Sequence, residues 1–327
     1  NAATALGGIT KGVTNLELTA AFASIANGGL YTKPVFFTKI LDHDGKLLID
    51  NEPETHRVLK DSTAFLLTDA MSQSMESSRM FASSGVSLNS TSAVANIPGM
   101  SNAGKSGTTT NNNDIWFVGF TPYYTAGIWS GCDDNQKISA IGSSTSYHKK
   151  IWKAIMTKIH EGLADTGFPV PSSVTTAQIC RKSGKLAIPG VCDEDPRGDA
   201  TYTEYFAKGS VPTDLCDVHV RATVCSITGL LPNSGCPKST KIRLALPADA
   251  DSSTDDSAYA MPTRKCGGHT ASTIAPATDG AESGGPSSQT PETLPPAGIS
   301  NLGPGYGPGG GASALPRAGI SNGPGRD

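Results

Sequence analysis

The sequence of 327 residues lacks several features that point to common classes of protein. It has no run of about 18 apolar residues, the length that a helix needs to cross a bilayer. Its 26 basic and 29 acidic side chains leave a formal net charge of −3. There is therefore no basic surplus of the kind that binds nucleic acid. Neither a membrane span nor a nucleic acid partner is expected of these residues.

The composition changes along the chain and predicts three regions. Residues 1–165 show helical and strand patterns typical of a globular α/β segment. Residues 166–246 contain five of the seven cysteines. Residues 247–327 are rich in glycine, proline and serine and have no hydrophobic periodicity. Because this last region cannot bury enough apolar surface to offset its chain entropy, we expect a disordered tail.

Three helices are predicted in the first region. Residues 14–17 form a capping box, with Thr14 and Glu17 able to satisfy each other's backbone donors, at the start of a helix that runs to about residue 27. Asp61 or Ser62 can cap a second helix. A third helix begins near Tyr147. Its apolar stripe is expected to pack on a sheet and contains Ile151, Ile155 and Ile159, widened by Trp152 and Met156.

Two strand pairs are predicted in the same region. Residues 35–41 and 46–49 flank the sequence Asp-His-Asp-Gly, which favours the positive φ of a hairpin turn. His43 is therefore expected to be a turn residue. Residues 115–120 and 123–129 are rich in aromatic and β-branched side chains and are separated by Thr-Pro, which predicts two strands joined by a turn.

Residues 104–109, Gly-Lys-Ser-Gly-Thr-Thr, combine a cation, hydroxyl groups and a position without a side chain. Such a set can hold a carboxylate and stabilise the oxyanion of an acyl-transfer intermediate. Residues 99–106 also match the phosphate-loop pattern G-x-x-x-x-G-K-[ST]. A phosphate loop must run directly into a helix, whereas the threonines and asparagines that follow Gly107 are poor helix formers. The acyl-transfer interpretation is favoured, and the phosphate loop remains the alternative.

The Lys-Ser-Gly-Thr box resembles the K-[TS]-G-[TS] element of serine penicillin-binding proteins and class A β-lactamases. Residues 6–14, the helix near residues 16–27, residues 114–120 and Trp129 extend the resemblance to the second half of a class A penicillin-binding protein transpeptidase domain. The resemblance implies a mixed α/β fold in which helices flank an antiparallel sheet. It implies no cofactor and no metal.

The resemblance also implies roles for the box. Lys105 and the Thr108 backbone N–H would be catalytic: Lys105 would supply positive charge for a peptide or penicillin carboxylate, and Thr108 half of an oxyanion hole. Ser106 would hydrogen-bond the carboxylate, and Gly107 would leave room for substrate. Thr109 completes the predicted substrate-binding set.

The nucleophile of this family is the serine of an S-x-x-K motif, which lies upstream of the box together with an S-x-N motif. Residues 146–149 match S-x-x-K but follow the box, and Ser87-Leu88-Asn89 matches S-x-N in a serine-rich stretch. We interpret both as chance matches. We therefore expect the chain to be an N-terminally truncated fragment that is inactive alone. In the family, a membrane helix and a glycosyltransferase domain precede the transpeptidase.

The implied function is peptidoglycan D,D-transpeptidation through a serine acyl-enzyme, outside the cytoplasm of a bacterium, at the membrane and cell wall. Peptidoglycan stem peptides, lipid-linked precursors and β-lactam antibiotics are the implied partners. The alternative is a non-catalytic wall-binding or scaffold protein with the same fold.

The tail repeats a pentad at residues 297–301 and 318–322, which favours a flexible spacer and leaves wall-polymer binding as the alternative.

The cysteine-rich region contains an internal duplication. Residues 179–192 and 224–236 each begin with an aliphatic residue and cysteine and end in cysteine. We predict one disulfide per copy, Cys180 with Cys192 and Cys225 with Cys236, outside the reducing cytosol. Zinc is the alternative, because Cys216-Asp217-Val218-His219 offers a thiolate and an imidazole. The copies lack C-x2-4-C knuckles, so no metal is predicted. Cys132 and Cys266 stay unassigned.

Overall fold

The structure is a computed structural model that describes residues 2–5, 7–9, 12–76, 90–138, 146–247 and 255–269. These residues belong to one compact unit, residues 1–274. The S-x-N match at residues 87–89 and the repeated pentads of the tail lie outside the described residues. No helix among the described residues is both long enough and apolar enough to cross a membrane.

The described elements are four α-helices, eleven strands and three short 3-10 helices. The helices are α1 (Ala2–Ala5), α2 (Asn15–Ala26), α3 (Asp61–Gln73) and α4 (Tyr147–Ile159). The strands are β1 (Leu30–Thr32), β2 (Lys39–Leu41), β3 (Leu47–Asp50), β4 (Thr55–Arg57), β5 (Ala103–Thr108), β6 (Asp114–Phe120), β7 (Thr125–Gly131), β8 (Val174–Cys180), β9 (Thr201–Ala207), β10 (His219–Cys225) and β11 (Lys238–Leu244).

The centre of the first region is the antiparallel sheet β5-β6-β7. Successive side chains of a strand point to opposite faces, so Phe117 and Phe120 of β6 face in opposite directions. Phe117 packs in a cluster with Trp152 and Met156 of α4, and Phe120 packs in another with Phe22 of α2. Helices therefore cover both faces of the sheet, in agreement with the predicted mixed α/β class.

The predicted N-terminal helix and the first hairpin are confirmed. Thr14 and Glu17 form the complete capping box of α2. Strands β2 and β3 pair antiparallel, with a turn in which Gly45 has a φ of 78°. The predicted cap of α3 is wrong in position, because the helix already includes Asp61 and its N-cap residue is Lys60, which makes no side-chain capping bond.

The predicted apolar stripe of α4 is wrong in its main residues. Ile151, Ile155 and Ile159 are each about half exposed, whereas Trp152 and Met156 are fully buried. The indole N–H of Trp152 also donates to the Ala126 carbonyl at 3.0 Å. The larger side chains fill the space above the sheet, and the isoleucines lie on the adjoining face of the helix, away from the core.

The cysteine-rich region consists of two strand pairs, β8 with β9 and β10 with β11. The first pair packs against α3, where the rings of Phe65 and Tyr205 make an edge contact at 5.1 Å between centroids. The Ser173 hydroxyl donates to the Asp61 carboxylate at 2.7 Å beside that contact. The described contacts of this region continue to His269, beyond residue 246, where the sequence predicts its end.

Candidate active site

The Lys-Ser-Gly-Thr box occupies β5, which lies at the edge of the three-stranded sheet. Lys105 is paired with Val118 and Thr108 with Ile115 of β6. The β5–β6 turn is fixed by Asp114, whose backbone N–H donates to the Thr109 hydroxyl at 2.8 Å. A strand-turn-strand arrangement follows the box, as the acyl-transfer interpretation requires. It is not the loop-helix arrangement of a phosphate loop.

The turn explains the run of asparagines. Asn111 and Asn112 have φ values of 63° and 60°, a left-handed conformation that asparagine tolerates better than most residues. The Thr109 hydroxyl donates in return to the Asp114 carboxylate at 3.1 Å, and the Trp129 indole donates to the same carboxylate at 2.9 Å. The hydroxyl of Thr109, one of the predicted substrate-binding residues, is thus engaged in holding the turn.

The hydrogen-bond register shows which backbone groups of β5 face outward. The Thr109 N–H donates to the Asp114 carbonyl at 3.0 Å. Since inward and outward backbone groups alternate along an antiparallel strand, the N–H of Thr108 points away from β6, toward the open edge. The carbonyls of Gly104 and Ser106 also point outward, and each has a side-chain donor within hydrogen-bond distance. The Ser74 hydroxyl, which donates to the Met71 carbonyl at 2.8 Å, also lies 3.2 Å from the Gly104 carbonyl. The Lys105 ammonium donates to the Ser106 carbonyl at 2.8 Å.

The two glycines of the box have different environments. A Cβ at Gly104 would lie 2.6 Å from the Phe117 ring, so the core leaves no room for a side chain at this position. At Gly107 the nearest heavy atom to such a Cβ would be the Trp116 Cβ at 3.5 Å, an ordinary van der Waals distance. Packing therefore requires glycine at position 104 and does not require it at position 107.

The side chains of Lys105 and Ser106 lie at the same edge. Lys105 is exposed, and the Ser106 hydroxyl donates to the Thr91 hydroxyl at 3.3 Å. The arrangement gives one edge an ammonium, a hydroxyl and an outward backbone donor. Chemically, these groups can bind a carboxylate and a developing oxyanion.

The S-x-x-K match at residues 146–149 lies at the start of α4. Lys149 is buried, its ammonium donates to the Thr91 carbonyl at 2.7 Å, and its pKa is lowered by burial and by the charge of Lys105. Neither ring nitrogen of the buried His148 has a hydrogen-bond partner among the described residues. Burial, aided by the charge of Lys149, lowers the pKa of His148 to about 4. Both side chains belong to the interior beneath α4.

A cavity of about 460 Å³ lies between α2, β1 and the turn that joins β6 to β7, with Leu16, Ala20 and Tyr124 among its lining residues. It does not include the box. Among the described residues no further strand pairs with β5, so the candidate site is a strand edge, and the chemistry of its residues rather than the cavity identifies it.

The structure places the predicted disulfide partners near each other, but in larger groups. Cys180 and Cys192 lie with Cys216 and His219, and their ligand atoms are all within 4.8 Å of one another. A second group with the same property contains Cys225, Cys236, Cys266 and His269. All seven cysteines are free thiols in this structure. The predicted disulfides Cys180–Cys192 and Cys225–Cys236 are therefore not formed in it, and the pairing stays a prediction.

Sequence reasoning missed the second group because Cys266 lies in residues 247–327, the region predicted to be a disordered tail, and has no assigned role there. The signal that could have found it is the spacing Cys-x-x-His, which occurs at residues 216–219 and again at residues 266–269.

Comparisons with known proteins give matches to two parts of the chain. Residues 1–157 match the penicillin binding protein transpeptidase domain family, and residues 170–221 match the family of the penicillin-binding protein 1A C-terminal domain. Penicillin-binding protein 1A of Clostridium botulinum (strain Langeland) is 34% identical over 236 residues, which are 72% of this chain and 27% of that protein. Penicillin-binding protein 2D of Bacillus subtilis is 33% identical over 207 residues, 63% of this chain and 28% of that protein.

The crystal structure of penicillin-binding protein 1A from Haemophilus influenzae has the same fold, with a TM-score of 0.52 and 22% identity over 62% of this chain and 33% of that one. The chain thus spans about a quarter of the length of the curated relatives it matches. On these matches, the chain belongs to the penicillin-binding proteins and joins part of their transpeptidase domain to a C-terminal domain of the 1A type.

Proposed function

We propose that this chain forms the C-terminal part of a serine-type D-Ala-D-Ala transpeptidase that cross-links peptidoglycan. The observation that carries the proposal is the outward-pointing N–H of Thr108 at an open strand edge that also bears the Lys105 ammonium. Membership of the penicillin-binding proteins supports it. A serine outside these residues would be the nucleophile, because no S-x-x-K motif precedes the box.

In this mechanism the serine hydroxyl attacks the carbonyl carbon of the penultimate D-Ala of a stem peptide. The Thr108 N–H stabilises the oxyanion that forms on that carbonyl oxygen. The terminal D-Ala leaves as its amine, which takes up a proton, and an acyl-enzyme remains. The amine of a neighbouring stem peptide then attacks the ester, and the serine oxygen regains its proton.

Lys105 and Ser106 bind the terminal carboxylate of the donor peptide, and Gly107 leaves space beside the strand for its side chain. The same contacts would bind the carboxylate of a β-lactam. The substrates of the complete protein would be stem peptides supplied on lipid-linked precursors, which places the reaction outside the cytoplasm, with a membrane anchor outside these residues.

The proposal is tested in the complete protein by the rate of acylation with a fluorescent penicillin. Lys105→Ala should slow labelling sharply, because it removes the positive charge that binds the carboxylate. Lys150→Ala is the matched control, since Lys150 is an exposed lysine of α4 and its loss should leave the rate unchanged. Labelling of Lys105→Ala at the wild-type rate would contradict the role, and an intact wild-type protein that is not labelled would indicate the scaffold alternative.

The backbone role of Thr108 has its own test in the same assay. Thr108→Ala should change the rate little, because it keeps the N–H. Thr108→Pro deletes the N–H, and loss of one oxyanion donor typically lowers the rate by about 10²- to 10³-fold. Equal rates for the two variants would show that the N–H takes no part in acylation.

A further inference from the structure

Each group of three cysteines and one histidine has the composition and size of a metal site. In the first group the Nδ1 atom of His219 lies 3.3 Å from the sulfur of Cys180 and 3.5 Å from that of Cys216. In the second group the Nε2 atom of His269 lies 3.0 Å from the sulfur of Cys225 and 3.2 Å from that of Cys266. Tetrahedral zinc with a Zn–S distance of about 2.3 Å sets its ligands about 3.7 Å apart. The two groups need only small adjustments to reach this arrangement.

The surroundings of His219 prepare its Nδ1 atom to bind a cation. The Nε2 atom lies 2.8 Å from the carboxylate of Asp195, whose side chain is completely buried. Arg197 holds Asp195 with two bonds of 2.9 Å and 2.8 Å. When Nε2–H donates to this carboxylate, a neutral imidazole has its lone pair on Nδ1, which faces the sulfurs. Metal-binding histidines are oriented by carboxylates in this way.

Backbone donors also point at the sulfurs. The N–H of Ile188 lies 3.3 Å from the sulfur of Cys192, and the N–H of His219 lies 3.4 Å from that of Cys216. In the second group the Asn233 N–H lies 3.4 Å from the sulfur of Cys236. Donors in these positions stabilise thiolate, the form of cysteine that binds metal.

The two groups are built alike, which argues against an accidental cluster. The first cysteine of each group is the last residue of a strand. Its carbonyl accepts a hydrogen bond from the N–H of the glycine four residues later, at 2.9 Å for Gly184 and 2.8 Å for Gly229. The third cysteine donates its N–H to a leucine carbonyl at 2.8 Å in both, namely Leu186 for Cys216 and Leu231 for Cys266. Both copies then place histidine three residues beyond that cysteine.

A disulfide in each copy does not account for this arrangement. One bridge uses two of the three sulfurs and leaves a buried thiol beside an imidazole. A cation that takes three sulfurs and the imidazole uses every member of the group.

We propose that the two clusters each bind one zinc ion in a closed Cys3His site, the first through Cys180, Cys192, Cys216 and His219 and the second through Cys225, Cys236, Cys266 and His269. Four protein ligands fill the tetrahedral coordination of zinc and leave no position for a substrate, so both sites are structural. Binding releases the protons of the three thiols as they become thiolates, and no electron transfer is involved. The inference does not depend on the proposed transpeptidase function.

The two sites are linked through Asp256. Its carboxylate accepts from Lys182 at 2.7 Å and pairs with Arg197, and both partners belong to the first copy. Asp256 itself lies in the segment that continues to Cys266 and His269 of the second site. Zinc at the second site therefore anchors a segment whose Asp256 also contacts the first copy.

The direct test is the zinc content of the whole chain, exported to an oxidising compartment and purified without chelator. We expect two zinc ions per chain by elemental analysis. Cys192→Ser and Cys236→Ser should each remove one ion, and the double variant both. Cys132→Ser is the matched control, because the exposed Cys132 belongs to neither cluster, and it should keep both ions. Cobalt(II) substitution should give the intense visible bands of tetrahedral thiolate coordination.

A variant that keeps all eight ligands tests the first site even if the cysteine variants fail to fold. Asp195→Asn should weaken the first site by about 10- to 100-fold in chelator competition, as for other carboxylates behind a metal-bound histidine. The second site is its internal control and should be unaffected. Peptide mapping without reduction that finds Cys180–Cys192 and Cys225–Cys236 disulfides, with no zinc bound, would overturn the proposal. Less than one ion per chain after reconstitution of the reduced protein with zinc would do the same.

Discussion

The transpeptidase region and the cysteine-rich region are stabilised in different ways. Around the sheet β5-β6-β7 the interior consists of large apolar side chains, of which Phe117, Phe120, Trp152 and Met156 are fully buried. The two clusters of the second region consist of cysteines, with smaller aliphatic side chains around them. Two-stranded pairs are marginally stable on their own. The second region therefore needs cross-links that the first does not need.

Metal removal should produce the largest difference in stability between the two regions. Folding of small zinc sites carries apparent binding free energies of about 10 to 16 kcal/mol. A strong chelator should therefore increase amide exchange in residues 174–247 and 255–269 by a large factor. Exchange in β5, β6 and β7 should stay unchanged. The measurement is hydrogen exchange of the chain with and without chelator, and equal protection of β8 to β11 in both samples would contradict the comparison.

Truncation of Trp152 should do the opposite. Trp152→Ala removes a fully buried indole and should cost about 3 to 5 kcal/mol of local stability in the sheet and α4. Ile155→Ala on the same helix is the control, because Ile155 is about half exposed and should cost much less. Exchange should rise in β6 and β7 and remain low around the cysteine clusters. Similar losses for the two variants would mean that the buried face of α4 is wrongly identified.

The two glycines of the box give a smaller and sharper comparison. Gly104→Ala pushes a methyl group against the Phe117 ring and should destabilise the sheet by about 1 to 3 kcal/mol. Gly107→Ala should leave stability nearly unchanged, since its methyl meets only ordinary contacts. If Gly107 provides space for substrate, that variant should nevertheless acylate slowly with a fluorescent penicillin in the complete protein. Normal acylation by a stable Gly107→Ala protein would remove that role.

The sequence was sufficient wherever a local rule decides the structure. The capping box of α2, the hairpin of β2 and β3 and the strand pair after the box depend on neighbouring residues and were predicted correctly. The buried face of α4 was not, because isoleucine and tryptophan stripes lie side by side on one helix and only the shape of the sheet selects between them. The Cys3His clusters join residues up to 44 positions apart, and such distances are set by tertiary structure rather than by spacing.

The hydroxyl of Ser74 lies 3.2 Å from the Gly104 carbonyl and so limits how far an extended ligand can align beside β5. The next outward backbone positions are Ser106 and Thr108, at the end of the strand nearest the turn. A peptide that adds to this edge as a further strand can therefore pair with only a short part of β5, about the length of a dipeptide. Longer partners would have to leave the sheet at Ser74.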